Sequence, residues 1–140
     1  MSGIVLIIVM IIFTSFQEKK GVEISFINDS EETFVKMTVE TNGKKFSFSN
    51  ICPGERTNPV LVGETYWFCH TVVATQRDTV LFTGFCPVGE TLIKDGNLTV
   101  SYTIYPKKGE HRTLYANEVS YLGSAKNVGF PKTIWKENKE

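Results

Sequence analysis

From Val22 to about Val119, apolar side chains recur at every second residue, and this period of two constrains the fold more than any other feature. Successive side chains on an extended strand point to opposite faces, so strict alternation builds a strand with one dry and one wet face. Val22, Ile24 and Phe26 alternate with Glu23 and Ser25. Val35, Met37 and Val39 alternate with Lys36, Thr38 and Glu40. Asn42-Gly43 follows at once, and these two residues tolerate the positive φ of a tight type I′ hairpin turn. Phe46 and Phe48 then continue inward on the return strand, with Lys45, Ser47 and Ser49 facing water.

Turn chemistry punctuates the rest of the chain. Ile51-Cys52-Pro53-Gly54-Glu55 turns at its Pro-Gly pair. Val60 to Val62 reads as an edge strand, because Pro59 has no N–H to give a ladder. Tyr66 to Thr75 is a longer aromatic and β-branched strand. Gln76-Arg77-Asp78 turns the chain, and Thr79 to Phe85 returns with apolar residues on both faces, as a central strand does. Leu98, Val100, Tyr102 and Ile104 alternate cleanly with Thr99, Ser101, Thr103 and Tyr105. Thr113 to Val119 reads as the last strand. No segment has the 3.6 period of an amphipathic helix. About seven to eight short strands with regular turn signals predict an all-β, antiparallel β-sandwich of immunoglobulin-like type, although the Cys-Trp-Cys pattern of a true immunoglobulin domain is missing.

The 140 residues suffice for one domain, and 41% hydrophobic with 12% aromatic residues suffices for one core. Lys+Arg and Asp+Glu stand at 15 each, so no basic excess exists to condense onto phosphate, and nucleic-acid binding is not expected. Ile4 to Phe13 is an unbroken apolar run. A membrane-spanning helix needs about 20 apolar residues and a signal-peptide core roughly 7–15, so the run reads as a signal peptide. The predicted organisation is a signal peptide over 1–17, a linker over 18–21, the sandwich over 22–120 and a tail over 121–140. A secreted or periplasmic protein follows, with no membrane span after cleavage; an uncleaved N-terminal anchor is the alternative.

Taken in order, a strand opening near Asn28, the Asn42-Gly43 hairpin, Pro53-Gly54-Glu55-Arg56-Thr57, Phe85-Cys86-Pro87-Val88-Gly89-Glu90 and Asp95-Gly96-Asn97-Leu98-Thr99-Val100 form a recognisable layout. It resembles small secreted or lipoprotein-like β-sandwich proteins of unknown function common in Bacteroidetes-type bacteria. The likeness covers roughly Val22 to Val119 and implies fold and compartment alone. The lipobox cysteine carried by many such proteins is absent here, and the trio Cys52, Cys69 and Cys86 is not a feature of that resemblance.

Candidate chemistry is sparse. Cys69 and His70 are neighbours on a strand and point to opposite faces, so they do not form a nucleophilic dyad. Two histidines and no CxxC spacing leave no metal or redox signature, and no cofactor or catalytic residue is expected. A disulfide with one thiol left over is the simplest use of Cys52, Cys69 and Cys86 in an exported chain. If Gln76 to Thr79 form a four-residue loop, opposed residue numbers sum to about 155 and Cys69 faces Cys86. Cys52 with Cys86 is the other reading, since both open similar turns. Asn28-Asp29-Ser30 and Asn97-Leu98-Thr99 match the N-glycosylation pattern, a common chance match at positions that turns also favour.

Tyr66-Trp67-Phe68 sets at least one aromatic away from the core, and Trp67 and Trp135 are therefore candidate anchors for a partner. Coverage by the second sheet and the tail accounts for the same residues without a partner. Arg56 and Thr57, in the Cys52 to Asn58 loop, are the other candidate contacts. The expected function is a non-enzymatic secreted or periplasmic binding module with a protein or glycan partner. The alternative is an inhibitor or immunity-type protein that blocks a secreted enzyme or toxin with that loop.

Overall fold

The computed structural model describes residues 21–66, 70–82, 92–109 and 111–125. These residues hold β1 (Val22–Asn28), β2 (Phe34–Thr41), β3 (Lys44–Ile51), β4 (Val60–Val62), β5 (His70–Ala74), β6 (Thr79–Phe82), β7 (Gly96–Tyr105) and β8 (Thr113–Leu122). The fold is all-β, built from two four-stranded sheets of order β4-β1-β7-β8 and β3-β2-β5-β6. Among the described residues there is no helix long and apolar enough to cross a membrane.

The alternation read from the sequence is the alternation of burial for the apolar residues, whereas Ser25 and Ser101, expected on the wet faces, are buried at 7% and 8% exposed. Val22, Ile24 and Phe26 of β1 and Leu98, Val100 and Tyr102 of β7 are at most 1% exposed. Met37 and Val39 of β2 and Val73 of β5 meet them from the other sheet and are fully buried. Each such side chain contributes roughly 1.5–3 kcal/mol by leaving water. Aromatic contacts tie the sheets together. Phe26 of β1 packs edge-on against Phe48 of β3, and Tyr102 of β7 against Phe82 of β6, with ring centroids 5.8 and 5.4 Å apart. The Tyr102 hydroxyl is buried and lies 3.0 Å from Thr71 Oγ1 on β5, so the one polar atom of this core ring has a partner.

The β2–β3 hairpin closes as its sequence requires. Thr41 faces Lys44, with Asn42 at φ 48° and Gly43 at φ 69°, the left-handed pair of a two-residue turn. Met37 then faces Phe48 and Val39 faces Phe46. At the far end of the hairpin the strict alternation breaks. Asn50 sits at φ 55° just before Ile51, and Phe34, the partner of Ile51, turns into the core in place of Val35. Val35 is 38% exposed, contrary to its expected inward place.

Three further expectations change. The turn between β5 and β6 is Thr75 to Asp78, held by Thr75 N–H donating to the Asp78 carbonyl at 2.8 Å and by Thr75 Oγ1 beside the Asp78 carboxylate. Thr71 therefore faces Phe82 and Ala74 faces Thr79, a register two residues shorter than the one that set Cys69 opposite Cys86. The four-residue Gln76 to Thr79 loop assumed for that alignment is therefore not the one formed; Cys69 and Cys86 themselves lie outside the described residues. Second, β6 is the outer strand of its sheet, not a central one, and Leu81 is 49% exposed there. Third, β1 and β7 pair in parallel from Val22↔Gly96 to Asn28↔Tyr102, whereas hairpin signals lead one to expect antiparallel neighbours throughout.

Candidate functional site

The turn after β3 is exposed and fastened both by its own bonds and by β1. Its own bonds close it first: Glu55 N–H donates to the Cys52 carbonyl at 3.0 Å, and Cys52 N–H donates back to Glu55 Oε2 at 2.9 Å. The chain then lies along the end of β1. Gly54 N–H donates to the Asn28 carbonyl at 2.7 Å, and Asn28 N–H to the Glu55 carbonyl at 3.0 Å. Arg56 bridges to Ile27, and Thr57 N–H donates to the Phe26 carbonyl at 2.8 Å. The edge strand β4 continues the same antiparallel course along β1, pairing Val60 with Ile24 and Val62 with Val22.

Two buried polar side chains fix this course. Thr57 is 7% exposed, and its Oγ1 accepts the Phe26 N–H at 3.0 Å. Asn28, 1% exposed, donates through Nδ2 to the carbonyls of Ile51 and Glu32 at 2.9 and 2.7 Å. Its Oδ1 accepts from Ser30 N and Ser30 Oγ at 3.0 and 2.6 Å. Asn28 thus joins the base of the turn to the β1–β2 loop. Outward, the turn displays Cys52, Pro53, Glu55 and Arg56, all exposed, and the Cys52 thiol is free. Of the loop residues singled out in the sequence, Arg56 is presented to solvent and Thr57 is built into the scaffold.

An ionic cluster braces the same end of the molecule. The Arg112 guanidinium, just before β8, is 2% exposed; its Nη2 lies 2.8 Å from Glu32 Oε1 and its Nη1 3.3 Å from Asp78 Oδ1. Arg77 Nη1 stands 3.6 Å from the same Glu32 oxygen. The β1–β2 loop, the β5–β6 turn and the start of β8 are thereby held together. The Arg112 charge thus faces two carboxylates, although its Nε and Nη1 make no well-oriented hydrogen bond. Nearby, Lys107 pairs with Glu31, and that hydrogen bond holds the Glu31 carboxyl below its ordinary value.

At the opposite end, Asp95 clasps the chain leaving β8. Its carboxylate accepts from Tyr121 Oη at 3.1 Å, from Ser124 N at 2.8 Å and from Ser124 Oγ. The Ser124 hydroxyl chiefly lowers the Asp95 pKa, whereas burial raises that of the Tyr121 phenol.

His70 and His111 are both exposed, with His70 across the ladder from Glu40. Among the described residues no group of three or more His, Cys, Asp or Glu could hold a metal ion. Trp67, Cys69, Cys86 and Trp135 lie outside those residues. The sequence marks Asn28 and Asp95 only as turn formers and Arg112 not at all, because the partners of Asp95 and Arg112 are distant in sequence. No family model, curated protein or solved structure matches the chain.

Proposed function

We propose that the chain is an exported, non-enzymatic binding module of immunoglobulin-like type that engages a protein partner through the Cys52–Arg56 turn. One observation carries this reading: an exposed turn whose backbone is already fastened to β1 and to Asn28. A binding loop that is ordered before it meets its partner loses less conformational entropy on association. Arg56 supplies a side chain of the kind that concentrates binding energy when it enters a partner's surface. The same geometry favours an inhibitor-like action, in which a rigid loop enters a cleft of a secreted enzyme or toxin. Two facing four-stranded sheets support the immunoglobulin-like description, and the Ile4 to Phe13 run supports export to a secreted or periplasmic location.

The test is capture of a partner from medium or envelope extract by the full chain, by Arg56→Glu and by Lys36→Glu, which changes a charge on the outer face of β2. Arg56→Glu is expected to weaken binding at least about tenfold, near 1.4 kcal/mol, with Lys36→Glu unchanged. Equal capture by wild type and Arg56→Glu, with loss on Trp67→Ala, would move the contact to the aromatic segment.

A further inference from the structure

We infer that Asn97 carries an N-linked glycan and that Asn28 does not. This rests on the export reading and narrows the compartment to a secretory pathway that transfers oligosaccharide to asparagine. The two acceptor patterns look alike in sequence, but the fold treats them differently. Asn28 is 1% exposed, and its amide nitrogen already donates to two carbonyls, so a glycan there has no room and would break the base of the turn. Asn97 is an exposed residue of β7, while Leu98 beside it is fully buried. Its side chain therefore stands on the outer face of the β4-β1-β7-β8 sheet, at an exposed end of a face that is closed farther along at Ser25 and Ser101.

A second observation points to something lying on that face. Leu61, Glu23, Asn97 and Leu122 form one row across all four strands of the sheet. The two ends of the row are among the most exposed apolar side chains described, Leu61 at 48% and Leu122 at 76%. Neighbouring strands lie about 4.8 Å apart, so Leu122 is one strand from Asn97 and Leu61 two. The first sugars attached to Asn97 reach both and set the apolar faces of their rings against the leucines. The row sits at the Val22 end of β1 and the Cys52–Arg56 turn at the Asn28 end, so the glycan leaves the turn uncovered.

The transfer requires a polyprenyl-pyrophosphate-linked oligosaccharide as co-reactant. Asn97 Nδ2 bonds to the anomeric carbon as the bond from that carbon to the pyrophosphate oxygen breaks. The pyrophosphate leaves with the electron pair, and the proton lost from Nδ2 passes to the transferase base.

The full chain with its own leader is made in a eukaryotic secretory host, and the intact mass is read before and after amidase release of N-glycans. One glycan is expected, with Asn97 recovered as aspartate after release. Thr99→Ala should abolish it, whereas Thr99→Ser and Ser30→Ala should retain it. Release should also raise binding of a hydrophobic dye, and Leu122→Ser should suppress that rise. A secreted chain without a glycan overturns the inference and leaves export standing. A chain kept inside with its leader intact overturns both. A glycan that survives Thr99→Ala, or dye binding unmoved by release, overturns the site or its covering role.

Discussion

Thr57 shows how one hydroxyl can decide whether a loop is a loop or an arm of the sheet. Its Oγ1 is the acceptor for the buried Phe26 N–H, so Thr57→Val, nearly the same shape, strands a donor in the core. A loss of about 1–3 kcal/mol is expected in urea unfolding, with Thr57→Ser costing clearly less because the acceptor stays. Arg112 poses the opposite case, since burial has left two of its nitrogens without a well-oriented hydrogen bond. Arg112→Met keeps the bulk and removes those donors; it should unfold at a urea midpoint nearer wild type than Arg112→Ala, which also opens a cavity. The presented residue, Arg56, was legible in the sequence because a Pro-Gly turn displays its neighbours. The buried role of Thr57 was not, since its partner Phe26 lies 31 residues away.

Among the elements, those whose instructions are local were the readable ones. The β2–β3 hairpin carries its turn, register and inward phenylalanines within one stretch, and only Val35 departs, at the end where Asn50 takes a positive φ. The parallel β1–β7 pair has no such mark, because no turn joins its strands and period two is the same in either direction. Glycine tests both kinds of element. A Cβ at Gly43 meets nothing within 4 Å, so Gly43→Ala carries only the left-handed penalty of roughly 1–2 kcal/mol. At Gly96 (φ 88°) a Cβ would come within 2.2 Å of the Leu122 carbonyl oxygen, so Gly96→Ala must also push β7 and β8 apart. Thermal unfolding should rank Gly96→Ala well below Gly43→Ala. The Asp95 clasp adds a pH dependence. Its pKa is lowered in the fold, so its contribution is present above the ordinary value of 3.8 and is lost as pH falls through the folded value. The Ser124 amide signal should show this acid transition in wild type and lack it in Asp95→Asn.

Taken whole, the molecule is two sheets around one aromatic-laced core, with its polar fastenings gathered at the two ends. At the Asn28 end, the Cys52–Arg56 turn, the β1–β2 loop and the Arg112 cluster share partners, and this is where the proposed contact lies. The sequence held the strands and most of the inward residues, because burial on one face writes itself as alternation. It held the turn but not its rigidity, because that depends on β1 and on Asn28, 23 residues before the Ile51 carbonyl it grips. The central claim is that this turn is already formed in the free protein. Hydrogen exchange of the Asn28, Gly54, Glu55 and Thr57 amides, read on the unliganded chain, tests it most directly. Protection approaching that of the Val100 and Tyr102 amides in β7 is the predicted result. Exchange at the rate of an open loop would contradict it, leaving Arg56 on a segment that must be ordered by whatever it binds.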